Sequence, residues 1–256
     1  MNGGHRGAPV PGMQEDVRDA PVPPAFPLEP EGAATPRGGA TDPAAFAEQL
    51  ESETVRSLAH MGEQAKGPRS EEARVSELLG STLRDAIEAA ELAALWMNGE
   101  PDLELKLGLA RQVGDEAKHY RFLGERLRQL GAAPDAAELR ARGTSATFRY
   151  LKGLQTPAER LAAAGVREGI ARVRNAILAG WCESRGDAET ARLYREVIGP
   201  DDARHQEFVR RMLPRFALTA EDQERARRAA ARTLQLAEDL AELARLRQGI
   251  AQAPGS

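Results

Sequence analysis

Cysteine is almost absent from this chain: Cys182 is the only one in 256 residues. An internal disulfide is impossible, and no Cys-x-x-Cys pair exists for redox or zinc chemistry. Aromatic residues make up only 4%, and β-branched residues are sparse. Pleated sheet faces are built from those residue types, so their scarcity argues against a β fold. No run of about 18 apolar residues is present to span a bilayer. The N-terminal stretch "MNGGHRGAPVPGM" has no apolar core of signal-peptide length. Gly-rich phosphate loops, Gly-x-Ser-x-Gly elbows and dinucleotide fingerprints are all missing. The net charge of −4 and pI of about 5.7 give no electrostatic reason to expect a nucleic-acid partner. Together these absences predict a cytoplasmic protein with no membrane and no nucleic-acid contact.

What is abundant is Ala, Leu, Arg and Glu, a balance that favours helices, and the expected fold class is all-α. Residues 1–43 carry more than half of the 16 prolines and read as a disordered Pro/Gly-rich tail. Residues 44–69 read as a short helix and linker, with Asp42 as N-cap, Pro43 at the first helical position and "GPRS" as the break. Helical periodicity then returns over 70–97, 102–130, 156–184 and 187–213, the last segment stopping before Pro214. Thr156, Pro157 and Glu159 spell a capping box. "NGEPD" and "SRGD" are short turns, whereas 131–156 is a long connection with room for one short helix. Short turns make antiparallel neighbours, and one long crossover between the second and third helices is a standard connection of a four-helix bundle. The domain so defined runs over 70–213. Residues 214–256 add a C-terminal helix and tail, whose apolar face would cover the bundle or join a second copy in a homo-oligomer.

Two stretches read as copies of one word: "GDEAKHYRF" (114–122) and "PDDARHQEF" (200–208). Each runs acid, acid, Ala, base, His, and each ends in Phe. Residues three apart share a helix face, so Glu116 points with His119 and Asp202 with His205. Both pairs fall on or beside an apolar stripe, where a carboxylate and an imidazole are costly unless compensated. Metal ions would compensate them, since carboxylate oxygen and imidazole nitrogen suit iron, manganese or zinc. Further carboxylates level with the pairs must come from the other two helices. Glu168 lies about as far before the turn at Gly186 as Asp202 lies after it. Asp85 holds the corresponding place in the first half, with Glu88, one helical turn off, as its rival. Aligning the halves on Trp96 and Trp181 sets Leu83 opposite Glu168, so the internal symmetry does not choose between them.

The pattern resembles the ferritin-like, carboxylate-bridged dimetal four-helix-bundle superfamily. In that fold two helices each give a carboxylate and the other two each give Glu-x-x-His. Glu116-Ala-Lys-His119 matches outright, and Asp202-Ala-Arg-His205 matches with Asp for Glu. Asp115 and Asp201 occupy the place of the acid that steadies a ligating histidine. The resemblance covers roughly 70–213. It implies two iron ions (manganese as the alternative) held by Glu116, His119, Glu168, Asp202, His205 and Asp85 or Glu88. It also implies an oxidase or oxygenase that activates O₂ for an unidentified small-molecule substrate. A ferroxidase or iron-handling protein and a manganese-catalase-like enzyme would use the same ligands.

Blander accounts stand beside this one. Acids are 39 of 256 residues, so one acid-x-x-His means nothing. Both words would be ordinary solvated helix faces in a metal-free interaction module. Pro200 would start a new helix, with Asp201 and Asp202 as its capping acids, or else kink a continuing one. The strongly helical "DAETARLYREVI" before it favours the kink. Burial of Glu116, Asp202 and the two histidines decides between a metal centre and a surface.

Overall fold

Capping chemistry written in the sequence sets where most helices begin. In the computed structural model, which describes residues 39–64, 75–132 and 143–251, the Asp42 carboxylate accepts from the backbone N–H of Ala44 and Ala45 at 3.0 Å and opens α1 (Pro43–Gln64). α2 spans Val75–Met97. Asp102 accepts from Leu105 N at 2.8 Å to start α3 (Leu103–Gln129), which ends before Gly131 in the left-handed region at φ 76°. The short helix α4 (Ala146–Leu151) lies in the crossover. Thr156 and Glu159 close the expected capping box at the start of α5 (Pro157–Ser184). α6 covers Ala188–Leu193, α7 Gly199–Phe216 and α8 Ala220–Ala251. Thr219 and Asp222 cap each other at the last junction. The expected tail up to residue 38 and the linker at 65–69 lie outside the described residues.

The described residues are helical with no strand, and none of their helices is long and apolar enough to cross a membrane. α2 packs along α3, and α5 packs along α7; α8 lies against α5, and α1 against α5 and α7.

Pro200 does not open a separate helix but lies just past a π turn in a continuing one. Between α6 and α7 the chain makes a π-helical turn, Tyr194–Ile198, in which Gly199 N–H reaches back five residues to Tyr194 O. Ile198 and Gly199 both keep helical backbone angles, so α6, the turn and α7 form one continuing rod. The widened turn gives the proline ring room where a regular α-helix would clash. At the other end the expected stop before Pro214 is not observed: α7 continues through Pro214 to Phe216. Proline removes only one hydrogen bond in that last turn. Buried Met212, Leu213 and Ala217 hold the turn in place, and Ala217 N–H closes it on Leu213 O at 3.1 Å.

Two apolar clusters fill the interior. One gathers Leu92, Trp96, Leu105, Leu109, Leu161, Val166 and Met212, among others; the second gathers Leu79, Leu83, Leu123, Leu127, Leu178, Tyr194 and Ile198. Along α3, α5 and α7 the residues between them are buried and polar: Glu116 and His119, Glu168 and Asn175, then Asp201, Asp202 and His205. Along α2 the buried residues at that level are Ala86 and Ala89.

Candidate metal centre

The polar layer is built by helix periodicity. Glu116 and His119 share a face of α3, as Asp202 and His205 share a face of α7, and both pairs turn inward. Glu116, His119, Glu168, Asp202 and His205 are all under 9% exposed. The condition set by the sequence for an interior site is met, and a surface role for these words is not.

The two words are interlocked. His119 Nε2 donates to Asp201 of the second word at 2.9 Å, and His205 Nε2 donates to Asp115 of the first at 3.2 Å. A carboxylate only accepts, so each Nε2 carries a proton and each Nδ1 is turned inward. His119 Nδ1 lies 3.2 Å from Glu116 Oε2. His205 Nδ1 faces Glu168 Oε2 at 3.5 Å, an ion-pair contact too long for a good hydrogen bond, and is, among the described residues, one of three buried polar side-chain atoms that make none. One atom each from Glu116, Glu168 and His205 lie within 4.8 Å of one another.

Other side chains complete the layer. Gln112 Nε2 donates to Glu168 Oε1 at 3.0 Å. The Arg167 guanidinium hydrogen-bonds the same Glu168 oxygen and lies 3.7 Å from Glu116 Oε1, so it bridges the two glutamates. Asn175 Nδ2 donates to Asp202 Oδ2 at 2.9 Å. Lys118 Nζ sits 2.5 Å from Asp201 and 3.2 Å from Asp115.

Without a metal, the layer holds protons as its counter-charges. Burial disfavours a charged His205, yet its hydrogen bond to Asp115 and the Glu168 carboxylate outweigh burial and lift its pKa to about 10. Burial likewise opposes charge on His119, and Glu116 and Asp201 overcome it, so its pKa also rises. Burial would raise Glu168, but Arg167 and His205 win and hold it below the ordinary carboxylate range. Asp115 moves the same way: His205 and Lys118 outweigh burial and depress it. Asp202 moves oppositely, up to about 6, through burial and the neighbouring charge of Glu168.

The α2 carboxylates are not in this group. Asp85 forms an ion pair with Arg174 and is about one-third exposed. Glu88 accepts from Ser145 N–H at 2.7 Å and Ser145 Oγ at 2.5 Å, which ties the crossover helix α4 to α2. Sequence reasoning also misses Arg167, Gln112 and Asn175. Gln112 precedes Glu116 by one helical turn and Asn175 follows Glu168 by two, so each shares a face with a named acid.

Two carboxylates and an imidazole Nδ1, buried and converging, fit a divalent cation; the Nδ1 of His205, which makes no regular hydrogen bond, is the atom such an ion would satisfy. Scans of family models, curated proteins and solved structures each find no match to this chain.

Proposed function

We propose that this chain is a metal-dependent oxidoreductase with a ferritin-like four-helix bundle, in which α2, α3, α5 and α7 surround a redox-active divalent ion. Iron is the favoured metal and manganese the alternative. The observation that carries this reading is the reciprocal clasp between the two words, which aims both Nδ1 atoms at buried glutamates. A plain structural ion pair needs no such paired orientation, whereas a ligating histidine does.

Bound iron would supply O₂ activation, the chemistry the ferritin-like resemblance implies. The residues around it have their own tasks. Glu116, Glu168 and His205 would hold the ion. Asp115 and Asp201 fix ring orientation, and Lys118 keeps both aspartates ionised as acceptors. Gln112 and Arg167 restrain the Glu168 carboxylate. The two apolar clusters keep water from both ends of the layer.

A cavity of about 640 Å³ between α1, α5 and α7 offers space for a substrate. Leu50, Leu58, Val166, Val173 and Leu213 make its walls largely apolar, and Asn175 joins it to Asp202. That lining suits an apolar small molecule.

Metal content of protein expressed with iron and manganese supplied tests the reading, measured beside a His119→Ala, His205→Ala double variant. Bound iron that disappears in the variant supports it, and oxygen uptake then screens for the substrate. Bound manganese redirects the screen toward peroxide. No metal in folded protein would leave the layer as a closed network of carboxylates, protonated histidines and Arg167, and a metal-free interaction module would take its place.

A further inference from the structure

We infer that the centre takes a single divalent cation per chain, held by Glu116, Glu168 and His205, and that Arg167 provides the positive charge a second ion would otherwise bring. This rests on the metal-centre reading above and departs from the two-ion expectation of the resemblance.

The polar layer is complete on three helices and empty on the fourth. At its level α2 turns Ala86 and Ala89 inward, and neither offers a donor atom. The nearby carboxylates of α2 are committed elsewhere. Asp85 neutralises Arg174, and Glu88 holds the backbone and hydroxyl of Ser145. Turning Glu88 inward would strip the start of α4 of that anchor.

The histidines differ in the same sense. His119 has both ring nitrogens within hydrogen-bond distance of a carboxylate, whereas the Nδ1 of His205 makes only a long ion-pair contact with Glu168, at 3.5 Å. The Nδ1 of His205 is therefore the less well satisfied of the two and the better placed to turn to a cation. A second ion near His119 would also draw on Asp202, whose Oδ2 is already held by Asn175. Arg167 already balances part of the charge of both glutamates, through its hydrogen bond to Glu168 and its 3.7 Å contact with Glu116, so less negative charge is left to hold a second ion.

Manganese(II) decides the matter on the full-length protein after chelation and reloading. Equilibrium dialysis counts the ions, and electron paramagnetic resonance tells an isolated ion from a coupled pair. One Mn²⁺ per chain with the six-line spectrum of an isolated ion is the expected result. His205→Ala should weaken binding more than about 100-fold, beyond the range typical of losing a residue that only supports a ligand. His119→Ala should weaken it about 10-fold, at the low end of that range. Arg167→Met should tighten the single ion without admitting a second. Two exchange-coupled ions in the wild-type chain would overturn this inference and leave the metal centre standing. So would equal losses in the two histidine variants, or unchanged affinity in Arg167→Met. No bound ion at all would overturn the metal centre itself. The wild-type spectrum separates one ion from two whether or not a variant folds.

Discussion

The α2–α3 and α5–α7 pairs carry the same word and bury it at the same depth, yet they do not contribute equally. Beside its word, α5 supplies the carboxylate Glu168 and the amide Asn175, which holds Asp202. In the matching place α2 supplies two alanines. Even the terminal phenylalanines diverge: Phe122 is nearly half exposed, while Phe208 packs so tightly over Gly108 that no Cβ would fit there. A repeated motif therefore fixes where a site lies but not what surrounds it. The partner helix decides whether a half-site is filled.

The sharpest way to break this comparison is to remove the carboxylate that only one half has. Glu168→Ala in metal-free protein should cost about 3–5 kcal/mol, because Arg167 and His205 lose their buried counter-charge. Asp85→Ala, at the partly exposed pair with Arg174, should cost less than about 1 kcal/mol. Guanidinium denaturation in the presence of chelator measures both, and similar losses would erase the distinction between the halves.

The layer's proton load gives the next effect. Both histidines have folded pKa values above their ordinary 6.5, so their stabilisation is complete below that pH and is lost as pH rises, through about 10 for His205. Asp202 acts in the same direction, its contribution being full below 3.8 and lost as pH rises through about 6. Glu168 and Asp115 act oppositely, losing stabilisation as pH falls below the ordinary carboxylate values. Metal-free protein should thus be most stable near mildly acidic pH and melt about 5 °C lower at pH 9, a loss of about 2 kcal/mol in a chain of this size. His205→Gln should flatten that slope, and a slope unaltered by the substitution would place the titration elsewhere.

Much of this arrangement is open to reading from local rules. Asp42, Asp102, Thr156 with Glu159, and Thr219 with Asp222 announce their helix starts because a cap acts within four residues. The two words announce the polar layer because residues three apart share a face. Counting levels from a turn favours Asp85, and that count cannot see Arg174, which comes from another helix. Arg167 is invisible in the sequence for the same reason: its meaning depends on Glu116 across the layer. Yet α2 holds a clue, since Ala86 and Ala89 already lie on its apolar stripe. Pro200 is ambiguous because one proline is compatible with a start, a kink or a π turn, and the choice depends on what Tyr194 and Ile198 pack against.

Smaller effects sharpen the contrast. Glu88→Ala should cost about 1–2 kcal/mol by leaving the start of α4 without its anchor, the size expected for losing a charged cap. Thermal melting would show it, and limited proteolysis near Ser145 should quicken. Gly114, which opens the first word, and Gly199, which immediately precedes the second, should respond in opposite directions. Gly114 is exposed and helical with nothing near an added Cβ, so Gly114→Ala should stabilise by about 0.5–1 kcal/mol. In Gly199 an added Cβ would meet Tyr194 O at 3.0 Å, so the same substitution there should gain nothing or lose. Equal gains at both would mean that the π turn yields freely.

That turn behaves like a spelling constraint on everything after it. A π turn holds one more residue than the α turn it replaces. Were Tyr194–Ile198 to wind as regular α-helix with every residue kept, all that follows would rotate by about 100°. Asp201, Asp202 and His205 would leave the interior together, and Phe208 would lift off Gly108. A single codon lost from this stretch would let a regular α turn close in its place and leave the second word facing inward, whereas a regular turn forced on the intact sequence would turn that word out.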